Sequence, residues 1–366
     1  MRRLVLEQRA TPSRTFSLAL PVLSAVGALI LGSIPLVLIG ADPIEVYRLM
    51  LTSAFGSTRG ITDTLTDAMP IMLTGLAAVV TFRMNVWNIG AEGQLQIGAV
   101  TSAGVALWLG DGANTAFALV AMILAGMLGG SLYAGLVALP TATWKVDEVV
   151  LTLMMNFLSL AFINYLVFGS HSPWRDAFSI SFPRGQLIPD SSRLPDLSGR
   201  LNLGFVITLV VVFLVAWLLK YTVWGYEYSV VADSRGAASF AGINQWRMIV
   251  TSFLISGGCA GLGGAVLVGG TLGAMEPRAL TGLGFTGILV AALGRMSPTG
   301  VIPAAIVLSA IVSSGPDLQQ IGVPAPLTVV LQGLILVVIA GGEFHLRYRL
   351  VRAGSPARQA HRESAP

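Results

Sequence analysis

"NVWNIGAEGQLQIGA", Asn85–Ala99, sets one glutamate, two glutamines and two asparagines inside a chain of 366 residues that is 54% hydrophobic and only 11% charged. With a mean hydropathy of +0.77, such a chain cannot present an ordinary soluble surface, so the polar stretch must lie within or beside a membrane. The sequence reads as an all-α polytopic membrane protein. Its +4 net charge is spread over many loops rather than gathered on one face, which argues against nucleic acid. The single cysteine, Cys259, and the scattered His171, His345 and His361 offer no disulfide framework and no metal site.

Apolar runs long enough to cross about 30 Å of hydrocarbon fall near Phe16–Gly40, Ile61–Phe82, Thr115–Leu139, Val149–Phe168, Leu203–Leu219, Met248–Val268 and Leu327–Ala340, with another around Ile89–Leu109. Gly282–Leu293 and Val301–Ser313, parted by "GRMSPTG", suit short helices or a re-entrant pair. About ten transmembrane elements result, short or broken helices included. The organisation expected is a cytoplasmic segment 1–15, a membrane domain 16–342 with an outer loop 169–202 and a cytoplasmic loop 220–247, and a basic cytoplasmic tail 343–366. Residues 1–40 read as an anchor rather than a cleaved leader.

Cytoplasmic loops hold Lys and Arg in excess. An N-in, C-in orientation places about 15 of the 22 basic residues inside, among them Arg83, Lys145, Lys220, Arg235, Arg247, Arg295 and the Arg347–Arg362 tail. Four of the remainder, Arg175, Arg184, Arg193 and Arg200, sit in the one outer loop. The small-residue runs "GMLGG" (Gly126–Gly130) and "SGGCAGLGGA" (Ser256–Ala265) predict close helix–helix contact, since lipid gives helices no hydrophobic reason to pair.

The chain has two lysines, Lys145 after "TATW" and Lys220 after "AWLL", so no G-x-x-x-x-G-K-[ST] phosphate loop exists. Neither a G-x-S-x-G elbow nor an H-E-x-x-H helix is present, and no catalytic residue is assigned. A many-span chain with polar groups at membrane depth is left with transport.

On a helix, positions four apart share a face. Asn88, Glu92 and Gln96 then form one polar stripe, and Glu148, Thr152, Asn156 and Ser159 another. Two readings stand: the stripes border a solute pathway, or they are interhelical glue at about 1 kcal/mol per side chain. Asn88–Gly93 is expected to be an unwound entry. Glu92 is expected to keep its function in part as Gln, since the amide retains an acceptor oxygen. In the cytoplasmic loop, "ADSRGAASFAGINQWR" favours a short helix stopped at Gly242 or Asn244.

The blocks "FRMNVWNIGAEGQLQIGA", "VDEVVLTLMMNFLSLAFINYLV", "AASFAGIN" and "ALGRMSPTGVIPAA" resemble the permease subunits of bacterial ABC importers for nucleosides and simple sugars, the group that includes ribose-type permeases. The first two point to the nucleoside branch, and the resemblance runs from about Ile61 to Ala340. It implies a type II importer permease in the bacterial inner membrane, with a second permease subunit, cytoplasmic ATPase subunits that bind ATP and Mg, and an extracytoplasmic substrate-binding protein. It also implies a coupling helix within Ser229–Ile243, with Arg235, Ala237, Ala238, Phe240, Gly242 and Ile243 as candidates. The alternatives are a ribose- or galactofuranose-type permease and, from another class, a self-sufficient channel or secondary transporter using Glu92 or Glu148 as its proton site.

Overall fold

A computed structural model describes residues 4–8, 14–169, 172–179 and 183–352. The expected tail beyond Arg352 lies outside the described residues. In chain order the elements are β1 (Leu4–Gln8), α1 (Arg14–Leu38), α2 (Pro43–Phe55), α3 (Thr58–Phe82), α4 (Ala91–Leu109), α5 (Thr115–Trp144) and α6 (Glu148–Val167). There follow β2 (Asp196–Ser198), β3 (Leu201–Asn202), α7 (Gly204–Tyr221), α8 (Val223–Asp233), α9 (Arg235–Phe240) and α10 (Gln245–Leu267). The chain closes with α11 (Leu283–Leu293), α12 (Val301–Ser313), α13 (Gly315–Gln320), α14 (Pro326–Arg347) and β4 (Tyr348–Arg352).

Two units form: Met1–Val46 with Ile321–Pro366, and Tyr47–Gln320. In the first, α1 runs against α14, and β1 pairs antiparallel with β4, Leu4 opposite Arg352 and Gln8 opposite Tyr348. That pairing sets the two described ends of the chain side by side.

The second unit is a helical bundle. Among the described residues six helices are long and apolar enough to cross a membrane: α3, α5, α6, α7, α10 with its π-helical extension to Leu272, and the run Val301–Gln320 formed by α12 and α13. The multi-pass expectation holds at that level. α4, with Glu92, Gln94 and Gln96 in its first turns, and the short α11 are not among them. α3 and α10 are the central pair, 89% and 72% of their apolar windows being buried, against 22–28% for α5, α6 and α7. The outer helices show leucine, valine and phenylalanine to their surroundings, for example Val120, Leu124, Leu128, Leu132 and Leu136 at every fourth position of α5. That is a lipid-facing stripe.

Helix starts are cut by side-chain caps. Ser57 accepts from the Gly60 N–H, Asn114 from Phe117, Asp147 from Val149 and Val150, and Asn244 from Arg247. The small-residue runs do bring backbones together. A Cβ on Gly261 of α10 would overlap the Gly126 carbonyl oxygen of α5, and one on Gly98 of α4 would overlap Gly261 itself. Three helices therefore meet at Gly261 with no room for a side chain.

The described residues between 183 and 202 fold over one end of the bundle. Gly185 donates to Met275 O (2.8 Å), Ile188 to Gly273 O (2.9 Å) and Leu194 to Gly269 O (2.9 Å), while Arg184 pairs with Asp176 at 3.2 Å. The Phe178 N–H and that guanidinium hold the half-buried Asp176 carboxyl below the usual carboxylate range. Two sequence expectations need correction. Asn88 is not on a helix, because α4 begins at Ala91 behind Gly90; the shared stripe is limited to Glu92 and Gln96, and the non-helical entry to Asn88–Gly90. The amphipathic α2 and α8 went unforeseen, since "PIEVYRLMLTSAF" and "VWGYEYSVVAD" mix polar and apolar residues too evenly to stand out by hydropathy.

Candidate functional site

The polar residues of α4 and α6 come together, buried. Exposure is 3% for Glu92 and 6% for Asn156, and 0–1% for Asn88, Gln96, Thr152 and Ser159. At this depth a polar group must find a protein partner or leave a bond unmade at about 1–3 kcal/mol.

Each does find one. Asn88 fixes the entry to α4: its Oδ1 accepts from the Gly90 N–H (2.9 Å) and Gln94 Nε2 (3.1 Å), and its Nδ2 donates to Gln94 Oε1 (3.2 Å) and Ser256 Oγ (2.9 Å). Ser256 passes the link on to Ala77 O of α3 at 2.8 Å. From α6, Asn156 accepts from the Gly93 N–H (2.8 Å) and donates to Ile89 O (3.0 Å). Ser159 donates to Gln96 Oε1 at 2.6 Å, and Gln96 Nε2 donates to Leu280 O at 3.3 Å. Thr152 bonds back to Glu148 O of its own helix at 2.7 Å. Glu92 reaches a different helix altogether. Its Oε1 accepts from Gly282 N–H (2.5 Å) and its Oε2 from Gly284 N–H (2.7 Å), at the start of α11.

Of the six residues singled out from sequence, five thus join α4 to α6, α10 or the start of α11, while Thr152 bonds within α6 and packs against Gly90 at the entry to α4. Sequence reading missed Gln94, Ser256, Gly282 and Gly284. Gln94 stands in plain view in the opening stretch; the glycines give no local signal that a carboxylate approaches them.

A second group of residues builds a platform at the opposite, Arg83-bearing end of α3. Ser234 caps α9 by accepting from the Ala237 N–H (3.2 Å), and Gln245 Nε2 donates to Arg235 O (2.6 Å) and Ser239 Oγ (2.7 Å). The Gly242 backbone at φ +73° turns the chain out of the helix, as a C-terminal glycine does. Ala238 is fully buried and Ile243 packs beside it against Tyr228, Val231 and Met248. Arg235, Ala237 and Gly242 are exposed, and Phe240 is 97% exposed. The platform is bolted to the bundle: Tyr228 Oη donates to Val80 O (2.6 Å), Asn85 Nδ2 to Ala232 O (3.2 Å), and Trp224 Nε1 to Thr251 Oγ1 (3.0 Å). Phe240 thus stands bare on a short helix that is bonded to the bundle through α8 and the start of α10.

A third feature, unforeseen from sequence, is a cleft of about 720 Å³ at the start of α3, lined in part by Arg59, Asp63, Asp67, Arg200, Ser313 and Asp317. Its charges are paired internally: Arg59 and Arg200 lie 3.7 and 3.6 Å from Asp63, Ser313 donates to Asp67 at 2.8 Å, and Ser53 donates to Asp317.

Comparison with known proteins matches residues 60–340 to the family described as "Branched-chain amino acid transport system / permease component". The chain is 30% identical over 364 residues to the glucose ABC transporter permease protein of Haloferax volcanii, covering 95% of this chain and 93% of that one. It is 30% identical to the guanosine ABC transporter permease protein of Bacillus subtilis (89% and 94% covered). It is 29% identical to the nucleoside ABC transporter permease protein of Lactococcus lactis (90% and 92% covered). A buried lattice of interhelical bonds, a rigid platform with an exposed aromatic, and a match over nearly the whole length lead to one conclusion: this multi-pass chain belongs to the ABC transporter permease family.

Proposed function

We propose that the chain is the membrane-spanning permease subunit of an ATP-driven importer and forms the pathway for a nucleoside or a related neutral, sugar-containing solute. The observation that carries this reading is the near-complete alignment with permeases named for guanosine and for nucleosides. In the proposed orientation the protein sits in the bacterial inner membrane with both termini and the α8–α9 platform in the cytoplasm. The outer loop and the charged cleft then face outward. A cytoplasmic ATPase carries ATP and Mg and seats on α9. A second permease subunit completes the pathway, and an extracytoplasmic binding protein delivers the solute. Asn88, Glu92, Gln96, Thr152, Asn156 and Ser159 act on that pathway by fixing the helices that shape it.

A monosaccharide is the second reading, favoured by the 30% identity to the glucose permease. Competition decides between them. In the assembled complex, uptake of labelled guanosine or adenosine is expected to be suppressed by unlabelled nucleosides and unaffected by glucose, fructose or ribose in tenfold excess. Uptake of labelled glucose that unlabelled hexoses suppress and nucleosides do not, with no uptake of labelled nucleoside, would replace the first reading by the second.

A further inference from the structure

α11 begins against the first turn of α4. Its 11 residues rise only about 16 Å, half a bilayer core, and the chain enters it through Gly282 at φ +94°, where a side chain would be strained. The first N–H groups of a helix have no partner within it, and hydrocarbon supplies no water. Glu92 fills that gap with both oxygens, one on the Gly282 N–H at 2.5 Å and one on the Gly284 N–H at 2.7 Å.

The approach is close by construction. A Cβ on Gly284 would overlap the Glu92 backbone, and one on Gly287 would overlap Thr74 of α3. Thr74 Oγ1 donates to Leu283 O (3.0 Å) and Gln96 Nε2 to Leu280 O (3.3 Å), so the same short segment is held by its carbonyls while Glu92 holds its N–H groups. The support is itself supported, since Asn156 grips Gly93 and Ser159 grips Gln96 from α6.

We infer that Glu92 is a positioning residue for transport: its carboxyl group keeps α11 joined to α4, so that α4, α6 and α11 move as one body during the cycle. This rests on the reading of the chain as an ATP-driven permease. A glutamine does not reproduce the joint. It keeps one acceptor oxygen and turns an NH₂ donor toward a backbone donor. The geometry thus sharpens the expectation of partial retention by placing the loss at the joint to α11.

The test measures uptake and ATP hydrolysis together in liposomes holding the assembled complex, for the wild type, Glu92→Gln and Glu92→Asp. Glu92→Gln is expected to assemble and hydrolyse ATP while solute moved per ATP falls roughly tenfold, the equivalent of one hydrogen bond. Glu92→Asp, which retains both oxygens, recovers part of that ratio. A wild-type ratio in Glu92→Gln overturns the inference. So does failure of both variants to assemble, which leaves Glu92 a folding residue only. Absence of ATP-driven uptake by the wild type instead removes the importer reading on which the inference rests.

Discussion

Replacing Gly261 by leucine is expected to abolish recovery of the folded protein. At this position the backbones of α4, α5 and α10 touch. A Cβ would overlap the Gly126 carbonyl oxygen and lie 2.9 Å from Gly130 Cα and 3.0 Å from Gly130 N, all backbone atoms with no rotamer to retreat into. Overpacking against flexible side chains costs about 1–3 kcal/mol; here whole helices must separate. They would take Gly98, packed on the other side, with them. In a membrane, close backbone contact is much of what holds helices together, so the loss is not recovered elsewhere. Gly135→Ala is the control. A Cβ there meets only Leu254 Cδ2 at 3.4 Å, and the variant is expected to match the wild type in yield and in thermal stability measured by size-exclusion survival. A Gly261→Leu protein that purifies with wild-type stability would show that the seam is not the structural centre.

The second large effect is expected on the platform. Phe240→Asp should leave the chain folded, because the side chain touches almost nothing within it, yet should weaken the complex with the ATPase by roughly 2–4 kcal/mol, as loss of a central aromatic anchor does. Co-purification of the ATPase measures this directly. Ala238 is not an equivalent target. It is buried against Met248 and Tyr228, so a large residue there spoils the platform itself rather than blocking the partner. Full ATPase retention by Phe240→Asp would move the docking surface away from α9.

What was legible in the sequence followed from local rules. Span positions came from hydropathy, the α6 seam from residues at helical spacing, and the α9 stop from Gly242, whose φ is +73°. The glycine contacts were foreseen because only small residues let helices approach without a hydrophobic drive. The meaning of the Glu92 position was not legible. Its partner, Gly282, is 190 residues away in sequence, and a glycine that receives a carboxylate looks like any other glycine before a helix. Asn88 was read both on the α4 face and in an unwound entry, and the second holds, because α4 begins only at Ala91. The charged cleft escaped for a similar reason: Arg200 and Asp63 meet only once the outer loop has folded back over α3.

The central claim, that this chain carries solute across the membrane on energy supplied by a separate ATPase, is tested most directly by leaving that ATPase out. Proteoliposomes containing the permease pair and binding protein, with a proton gradient imposed, are expected to take up no labelled nucleoside above the empty-vesicle background. Adding the ATPase with internal ATP and Mg should start uptake, which vanadate then stops. Nucleoside accumulation driven by the proton gradient alone, at a rate unchanged by the ATPase, would contradict the claim and return Glu92 and Glu148 to the role of proton sites.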